Sequence, residues 1–319
     1  MEVHARSLAR ELSKLGVEVT LSSDPRDLPK SLDDSRWDVV HTHGSGVPIK
    51  LNPKKGRAVR VHTLHGTTFG RMAACREWYW LGGYQAAARE LAALFGSDVV
   101  LSVHSGLSLY ALAERLKKTR AVCSNGWDSQ EEKMDVVHVL PEALGERLLK
   151  VMPFWLYVGR GADPVKNIHG LARAIKLVPD LQWVAIPGDG FEHEPRVLRA
   201  GVLSTGQISK VFEISKGLVL PSFYEGQSLT VLEALAHGVP VVATRVGGIA
   251  AMPAAIEGLV TTDSFAPQSI ADALRAAEKF LNDPESRVRR AEINQKLLPK
   301  WASVAEVALS TVRKFREER

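Results

Sequence analysis

Apolar and polar positions along the chain alternate between two periods. Short apolar runs predict buried strands, and stretches with an apolar residue every three or four positions predict amphipathic helices. Because strands and helices follow one another in this way, the chain is expected to have an α/β fold. The predicted strands are Val17–Leu21, Val39–His41, Val59–Thr63, Val99–Val103, Ala121–Cys123, Trp155–Val158, Trp183–Ile186, Val219–Leu220, Val241–Thr244 and Leu259–Val260. The predicted helices cover residues 5–15, 73–95, 106–117, 167–178, 207–215, 229–236, 270–281 and 301–312.

The chain has 319 residues, which is more than one typical hydrophobic core contains, so two domains are expected. Residues 128–150 are first polar and then helical, as in a hinge region, and a new α/β series begins after them. We therefore predict an N-terminal domain over 1–150, a C-terminal domain over 151–295 and a last helix over 296–319. The apolar stripe of that helix predicts that one of its faces is buried.

The most informative segment is residues 219–244, which carries two glutamates eight positions apart, Glu225 and Glu233. A buried strand brings Glu225 to its carboxyl end, a Gly-Gln-Ser loop opens a helix, and Glu233 lies inside that helix. Such a unit directs backbone N–H groups and the positive helix end toward the edge of the sheet where ligands bind. A nucleotide sugar, with both hydroxyls and phosphates, fits this arrangement. The alternative is an ordinary βαβ unit with solvated or helix-capping glutamates.

This segment resembles the E-x7-E signature of retaining glycosyltransferases with the GT-B fold, family 4 (GT4) in particular. The flanking P-S-x-x-E-G and E-A-x-A-x-G-x-P-V-V-A-T patterns also match, and the resemblance covers nearly the whole chain, most closely residues 154–262. It implies two Rossmann-like domains facing across a cleft that holds a nucleoside-diphosphate sugar. It also implies that the last helix crosses back onto the N-terminal domain.

A second cluster, residues 159–167, follows the first strand of the predicted C-terminal domain. Arg160 offers a planar fork of donors and Lys166 a compact positive charge, both suited to a diphosphate. Two solvated loop cations are the alternative. The pattern G-R-x5-K-N resembles the phosphate-binding pair of the same family.

The resemblance implies a role for each of these residues. Glu233 would accept hydrogen bonds from the ribose, and Glu225 from the transferred sugar, whose anomeric configuration would be retained. The implied donor-binding residues are Arg160, Lys166, Gly226, Gln227, Ser228, Leu229 and Glu233. The implied catalytic residues are Glu225, His65, Arg160 and Lys166.

Several histidines lie at predicted strand ends in the N-terminal half. His41 and His43 share one face of a strand, so a metal site has to be considered. Since no carboxylate or cysteine completes an obvious ligand set, and GT-B enzymes generally work without a bound metal, we expect no metal site. His65, in T-x-H-G-T, resembles the family's acceptor-side histidine, with a capping or core histidine as the alternative. His104 is expected to be structural.

The net charge of +5 and the pI near 9.2 permit attraction to anionic lipid, phosphate-bearing substrates or nucleic acid. No nucleic-acid motif is present, so we expect no nucleic-acid partner. Cys75 and Cys123 lack metal-ligand spacing and are expected to be reduced, as in a cytoplasmic protein. Residues 71–84 combine basic residues with Trp78, Tyr79 and Trp80. This suits either peripheral contact with a membrane or a buried aromatic cluster.

The sequence departs from the family in two places. Met252 stands where an acidic residue normally occurs, so no role can be transferred to that position. The family opens with a buried strand and a Gly-Gly loop before an E-x-H segment, whereas this sequence begins inside that segment. Three interpretations fit: a start further upstream, which we favour, a sheet that closes without this strand, or a poorly formed domain. A missing central strand should leave unpaired backbone groups and an uncovered apolar edge.

We therefore predict a retaining glycosyltransferase that uses a nucleoside-diphosphate sugar as donor, needs no cofactor, and has a carbohydrate or lipid-linked acceptor. One alternative is a nucleotide-sugar-binding module with little or no turnover. The other is a GT-B sugar-nucleotide epimerase, which would lack the paired E-x7-E and G-R-x5-K patterns.

Overall fold

The computed structural model describes residues 2–22, 37–44, 58–76, 81–127, 140–278 and 284–319. They fall into two compact units, one formed by Met1–Gly126 and Pro299–Arg319 and the other by Trp127–Leu298. The sequence-predicted borders lie at 150/151 and 295/296. Most of the predicted hinge (128–139) and the aromatic residues Trp78, Tyr79 and Trp80 lie outside the described residues.

Within the described residues, the first unit contains a four-stranded parallel sheet in the order β1-β2-β3-β4. The helix predicted over 73–95 is two helices, because Arg76 takes a left-handed conformation that ends the first of them. The strands are β1 (Val39–His43), β2 (Val59–Leu64), β3 (Val99–Ser102) and β4 (Thr119–Val122). The helices are α1 (Glu2–Lys14), α2 (Thr68–Cys75), α3 (Leu81–Gly96), α4 (Ser108–Arg115) and, from the end of the chain, α12 (Trp301–Glu317).

The last helix packs within this first unit. Helix α12 contacts α1 and strands β2, β3 and β4. Near its start, the Sγ atom of Cys123 donates to the carbonyl oxygen of Val304 at 3.3 Å. The buried residues of the helix are those of the apolar stripe, Trp301, Val304, Ala305, Ala308 and Val312.

The prediction of a strand over Val17–Leu21 is wrong: this segment is irregular and forms no ladder with a described strand. A strand needs a neighbour to take up its backbone hydrogen bonds, and β1 is the edge of the sheet among the described strands. Val17, Val19 and Leu21 instead line a cavity of about 180 Å³ together with apolar residues of α1, β1 and α12.

The second unit contains a parallel sheet in the order β10-β9-β8-β5-β6-β7. Strand order runs outward in opposite directions from the β5–β8 pair, so this pair is the topological switch point, where open α/β sheets bind their ligands. The strands are β5 (Phe154–Val158), β6 (Gln182–Ile186), β7 (Val197–Arg199), β8 (Gly217–Leu220), β9 (Val241–Thr244) and β10 (Leu259–Thr262). The helices are α5 (Glu142–Leu149), α6 (Ile168–Leu177), α7 (Thr205–Ile214), α8 (Leu229–Ala236), α9 (Gly247–Ala250), α10 (Pro267–Ala277) and α11 (Pro284–Leu297).

Helix α11 was not predicted because its sequence has few apolar residues, and polar side chains attach it to the unit instead. Asn294 is fully buried and donates to the carbonyl oxygens of Leu235 at 2.9 Å and Glu257 at 3.0 Å. Its own side-chain oxygen accepts from the Glu257 amide at 2.9 Å. One side chain therefore satisfies three backbone groups from two segments.

Replacing Asn294 by alanine should lower the free energy of unfolding by about 3 kcal/mol, since each buried polar group left without a partner costs roughly 1–3 kcal/mol. Urea denaturation measures this loss. The matched control is Gln268→Ala, which removes an exposed hydrogen bond to Asp272 and should change stability by less than about 0.5 kcal/mol. Equal midpoints for the two variants would contradict the anchoring role of Asn294.

Candidate functional site

The loops after β5 and β8 meet at the switch point of the second unit. The amide of Phe223, after β8, donates to the carbonyl oxygen of Val165, after β5, at 2.7 Å. Lys166 ends a short 3₁₀ turn in the first loop, and its Nζ lies 2.7 Å from Oε1 of Glu225 in the second. The two side chains are only 16% and 11% exposed, so their attraction is less screened than that of a surface pair. Two predicted site residues are therefore in direct contact.

Arg160 lies in the same loop as Lys166 but in a different environment. Its side chain is 81% exposed, and its Nη2 lies 3.1 Å from Oδ2 of Asp163. An exposed guanidinium with five donors is available to a ligand that arrives from solvent. The predicted cation pair thus consists of one partly buried cation held by a carboxylate and one solvent-facing cation.

Close backbone contacts fix the Arg160 loop. A Cβ atom at Gly161 would lie 1.5 Å from the carbonyl oxygen of Asp189, and the Ala162 amide donates to Oδ2 of that residue at 2.9 Å. The Gly-Asp-Gly turn after β6 (residues 188–190) therefore supports this loop.

Replacing Gly161 by alanine should destabilise the protein by roughly 1–3 kcal/mol, because the Asp189 backbone has to move. The matched control is Gly145→Ala, which lies inside α5, where the added Cβ would have no atom within 4 Å apart from the nearby backbone of its own helix. That control should raise stability, since alanine favours a helix interior by about 1 kcal/mol over glycine. Thermal denaturation should show a lower melting temperature for Gly161→Ala and a higher one for Gly145→Ala. An unchanged melting temperature for Gly161→Ala would contradict the packing described.

The Glu225 loop is fixed in a similar way against the start of α9. The Gly248 amide donates to the carbonyl oxygen of Gly226 at 2.6 Å. Gly247 has φ +52°, and a Cβ there would lie 1.7 Å from the carbonyl oxygen of Glu225. These contacts explain why two glycines follow strand β9.

Helix α8 begins directly after this loop. Ser228 is its N-cap, and its hydroxyl oxygen accepts from the Val231 amide at 3.4 Å. The amides of Gln227, Ser228 and Leu229 therefore lie at the positive end of the helix, as the sequence predicts. Glu233 lies four residues beyond Leu229 and is half-buried. The structure thus gathers the predicted donor-binding residues on two adjacent loops and the first turns of one helix.

Two buried hydroxyls near these loops were missed by sequence reasoning. The Tyr157 hydroxyl and the Ser222 hydroxyl have no hydrogen-bond partner among the described residues. Burial, and secondarily the nearby charge of Glu225, raises the pKa of Tyr157. Buried groups of this kind are free to bond a ligand or an ordered water. Their positions in the sequence could have indicated them, since Tyr157 lies near the end of β5 and Ser222 lies just beyond the end of β8.

Three histidines converge in the first unit. His43 ends β1, His65 directly follows β2, as predicted, and His4 lies in α1. His43 Nδ1 lies 3.0 Å from His65 Nε2, and the ring centroids of His4 and His65 are 4.5 Å apart. Burial lowers the pKa of His4 to about 4 and those of His43 and His65 well below the usual value, so the rings are neutral at pH 7. His4 was not predicted as part of this group. His41 stacks on His43 with centroids 4.3 Å apart.

His104 forms its hydrogen bonds within its own turn and not with these histidines. Its Nδ1 accepts from the Gly106 amide at 3.1 Å, and its carbonyl oxygen accepts from the Ser102 hydroxyl at 2.7 Å. These contacts hold the turn after β3, which is a structural arrangement.

Residues 153–279 match the model of the family described as Glycosyl transferases group 1. Glycogen synthase from Mycobacterium tuberculosis is 33% identical over 171 residues, which cover 47% of this chain and 40% of that protein. UDP-Gal:alpha-D-GlcNAc-diphosphoundecaprenol alpha-1,3-galactosyltransferase from Escherichia coli is 28% identical over 248 residues, or 69% of this chain and 61% of that protein. The chain thus spans about two fifths to three fifths of these relatives.

Among solved structures, sucrose-phosphate synthase from Thermosynechococcus elongatus superposes with a TM-score of 0.71 at 18% identity, covering 99% of this chain and 94% of that one. The fold is therefore the GT-B fold of glycosyltransferases, with two Rossmann-like units of parallel sheet. The segment matched by the family model contains Arg160, Lys166, Glu225 and Glu233. Within the described residues, no helix combines the length and apolar character needed to cross a bilayer.

Proposed function

We propose that this protein is a retaining glycosyltransferase of the family-4 type, which moves a sugar from a nucleoside-diphosphate sugar to an acceptor. The observation that carries the proposal is the contact between Lys166 and Glu225 at the switch point of the second unit. A cation beside a carboxylate is complementary to a donor that presents phosphates next to sugar hydroxyls.

The leaving diphosphate would rest on Arg160, Lys166 and the amides at the start of α8. Breaking the glycosidic bond builds positive charge at the anomeric carbon and negative charge on the departing phosphate. Cations and N–H groups held in place before the reaction stabilise that negative charge, which is usually the largest contribution to such catalysis. In this proposal the chain's own groups supply the stabilisation, so transfer is metal-independent.

The two glutamates would divide the hydroxyl groups of the donor between them. Glu233, on α8, would accept from the ribose, and Glu225 from the transferred sugar. The pairing with Lys166 supports this role for Glu225, because the hydrogen bond from the cation fixes the orientation of the carboxylate.

The acceptor would approach His65, whose neutral ring can accept a hydrogen bond. We propose a carbohydrate or lipid-linked acceptor, met at the cytoplasmic face of a membrane. The name of the Escherichia coli relative, which includes a diphosphoundecaprenol-linked sugar, supports the lipid-linked form.

A thermal-shift screen with nucleoside-diphosphate sugars, followed by a product assay on each stabilising donor, tests the proposal. A donor that binds only the folded protein raises stability by about 2.7 kcal/mol at a hundred times its Kd. Binding with transfer supports the glycosyltransferase. Binding without hydrolysis or transfer across a broad acceptor panel would favour a sugar-nucleotide-binding module, and conversion of the donor to its epimer would favour an epimerase.

Peripheral membrane contact is a separate expectation from residues 71–84. Because basic and interfacial aromatic residues are combined there, the protein should float with anionic liposomes at low salt and dissociate as salt rises. Neutral liposomes are the control. Absence of flotation with anionic lipid at low salt would remove the membrane proposal.

A further inference from the structure

The three converging histidines have the arrangement of ligands rather than of a packed cluster. One ring nitrogen from each of His4, His43 and His65 lies within 4.8 Å of those of the other two. A tetrahedral zinc ion with bonds of ~2.05 Å separates its ligand nitrogens by about 3.3 Å. Small side-chain rotations that move these nitrogen atoms by roughly an ångström would therefore bring them to ligand spacing.

The orientation of His4 is fixed by a second residue. Its Nδ1 donates to Oδ1 of Asn125 at 2.7 Å, which leaves the lone pair on Nε2. That Nε2 atom is buried and has no hydrogen-bond partner among the described residues, although the side chain is only 1% exposed. Metal-binding histidines are commonly oriented in this way, by a hydrogen bond from the nitrogen that does not bind.

The rings of His43 and His65 are also fixed by neighbouring side chains. His43 stacks on His41, whose Nε2 bonds the Thr63 hydroxyl at 2.7 Å. His65 follows β2 and lies against the ring of His4. Since the ligands come from α1 and from the ends of β1 and β2, the folded unit builds the site.

We propose that His4, His43 and His65 form a binding site for a divalent transition metal, with Zn²⁺ as the best-suited ion. Three imidazole nitrogens are ligands that Zn²⁺ accepts, and three protein ligands leave a fourth position for water or an anion. This site was not found from the sequence, where only His41 with His43 was considered and no metal site was expected; His4 is distant from both along the chain.

The site also has a consequence for catalysis, which rests on the proposed function. Zn²⁺ at this position would occupy His65, the proposed acceptor-side residue. We therefore expect Zn²⁺ to inhibit transfer, although binding itself requires no turnover.

The test uses the full chain without a histidine tag, freed of metal by a chelator and titrated with Zn²⁺ by calorimetry. We expect one equivalent to bind, and His4→Ala and His43→Ala each to weaken binding at least a hundredfold. Asn125→Ala should weaken it roughly 10–100-fold, because it removes the residue that orients His4. The control is His169→Ala, an exposed histidine of the other unit, which should leave the affinity unchanged.

Co²⁺ gives a readout that needs no variant. The visible absorption of the unmodified protein with one equivalent of Co²⁺ should have the intensity of a four-coordinate site, and Zn²⁺ should abolish it. The proposal is overturned if the unmodified protein binds no stoichiometric metal. It is equally overturned if folded His4→Ala and His43→Ala variants, checked by circular dichroism, bind as tightly as the unmodified chain.

Discussion

Replacing Lys166 by alanine is expected to lower the rate of sugar transfer roughly a hundredfold or more while the protein remains folded. Loss of a preorganised group that meets the leaving diphosphate removes roughly 2–4 kcal/mol of transition-state stabilisation. The variant also leaves Glu225 without its cation in a site where only 11% of that side chain is exposed. Arg160→Ala should show a loss of the same order, because in the proposed site the exposed Arg160 would bind the same diphosphate from the solvent side.

The matched control for this pair is Lys210→Ala. Lys210 is a lysine of the same unit whose ion pair with Glu213, 2.8 Å long, is about half exposed. It should transfer sugar at the unmodified rate and unfold at the unmodified midpoint, because exposed pairs contribute little. Near-normal rates in both the Lys166 and Arg160 variants would overturn the assignment of the phosphate site.

Substitutions of the two glutamates are expected to change different kinetic constants, KM for Glu233 and kcat for Glu225. If Glu233 accepts hydrogen bonds from the ribose as proposed, Glu233→Gln should weaken ground and transition states equally, so the donor KM should rise roughly 10–100-fold with little change in kcat. Glu225→Gln removes the charge that pairs with Lys166 and that would meet the transferred sugar in the proposed mechanism, so kcat should fall roughly a hundredfold.

Glu213→Gln is the control for both glutamate variants, since Glu213 pairs with Lys210 on an exposed helix face. A double-mutant cycle of Lys166→Met and Glu225→Gln adds a test of the contact itself. Because the two side chains touch, their effects should not add. Identical KM and kcat changes for Glu225→Gln and Glu233→Gln would contradict the division of roles.

The parts of the fold that could be predicted are those with a local cause. The strand–loop–helix unit that carries Glu225 and Glu233 is encoded by a buried apolar run, a glycine loop and a capping serine, all within one short segment. Its predicted helix begins at Leu229, as in the structure. The segment Val17–Leu21 has an equally clear alternation, but a strand also needs a paired neighbour, and alternation alone does not supply one.

Long-range contacts could not be predicted. Lys166 and Glu225 are 59 residues apart, and His4 and Asn125 are 121 apart, so no periodicity links them. Helix α11 was missed because the buried amide of Asn294, rather than an apolar stripe, holds it in place. The parallel sheet explains why Arg160 and Glu225 could be placed near each other from the sequence, since strand ends gather at one edge and put these two residues on neighbouring loops.

The measurement that tests the central claim most directly is the anomeric configuration of the product. The protein is incubated with a stabilising nucleoside-diphosphate sugar and a panel of carbohydrate and lipid-linked acceptors, and the anomeric proton of the product is read by NMR. A retaining transferase should release the nucleoside diphosphate together with a product of the same anomeric configuration as the donor, and Lys166→Ala should form both roughly a hundredfold more slowly. A product of inverted configuration, or transfer at the unmodified rate in Lys166→Ala, would contradict the proposal.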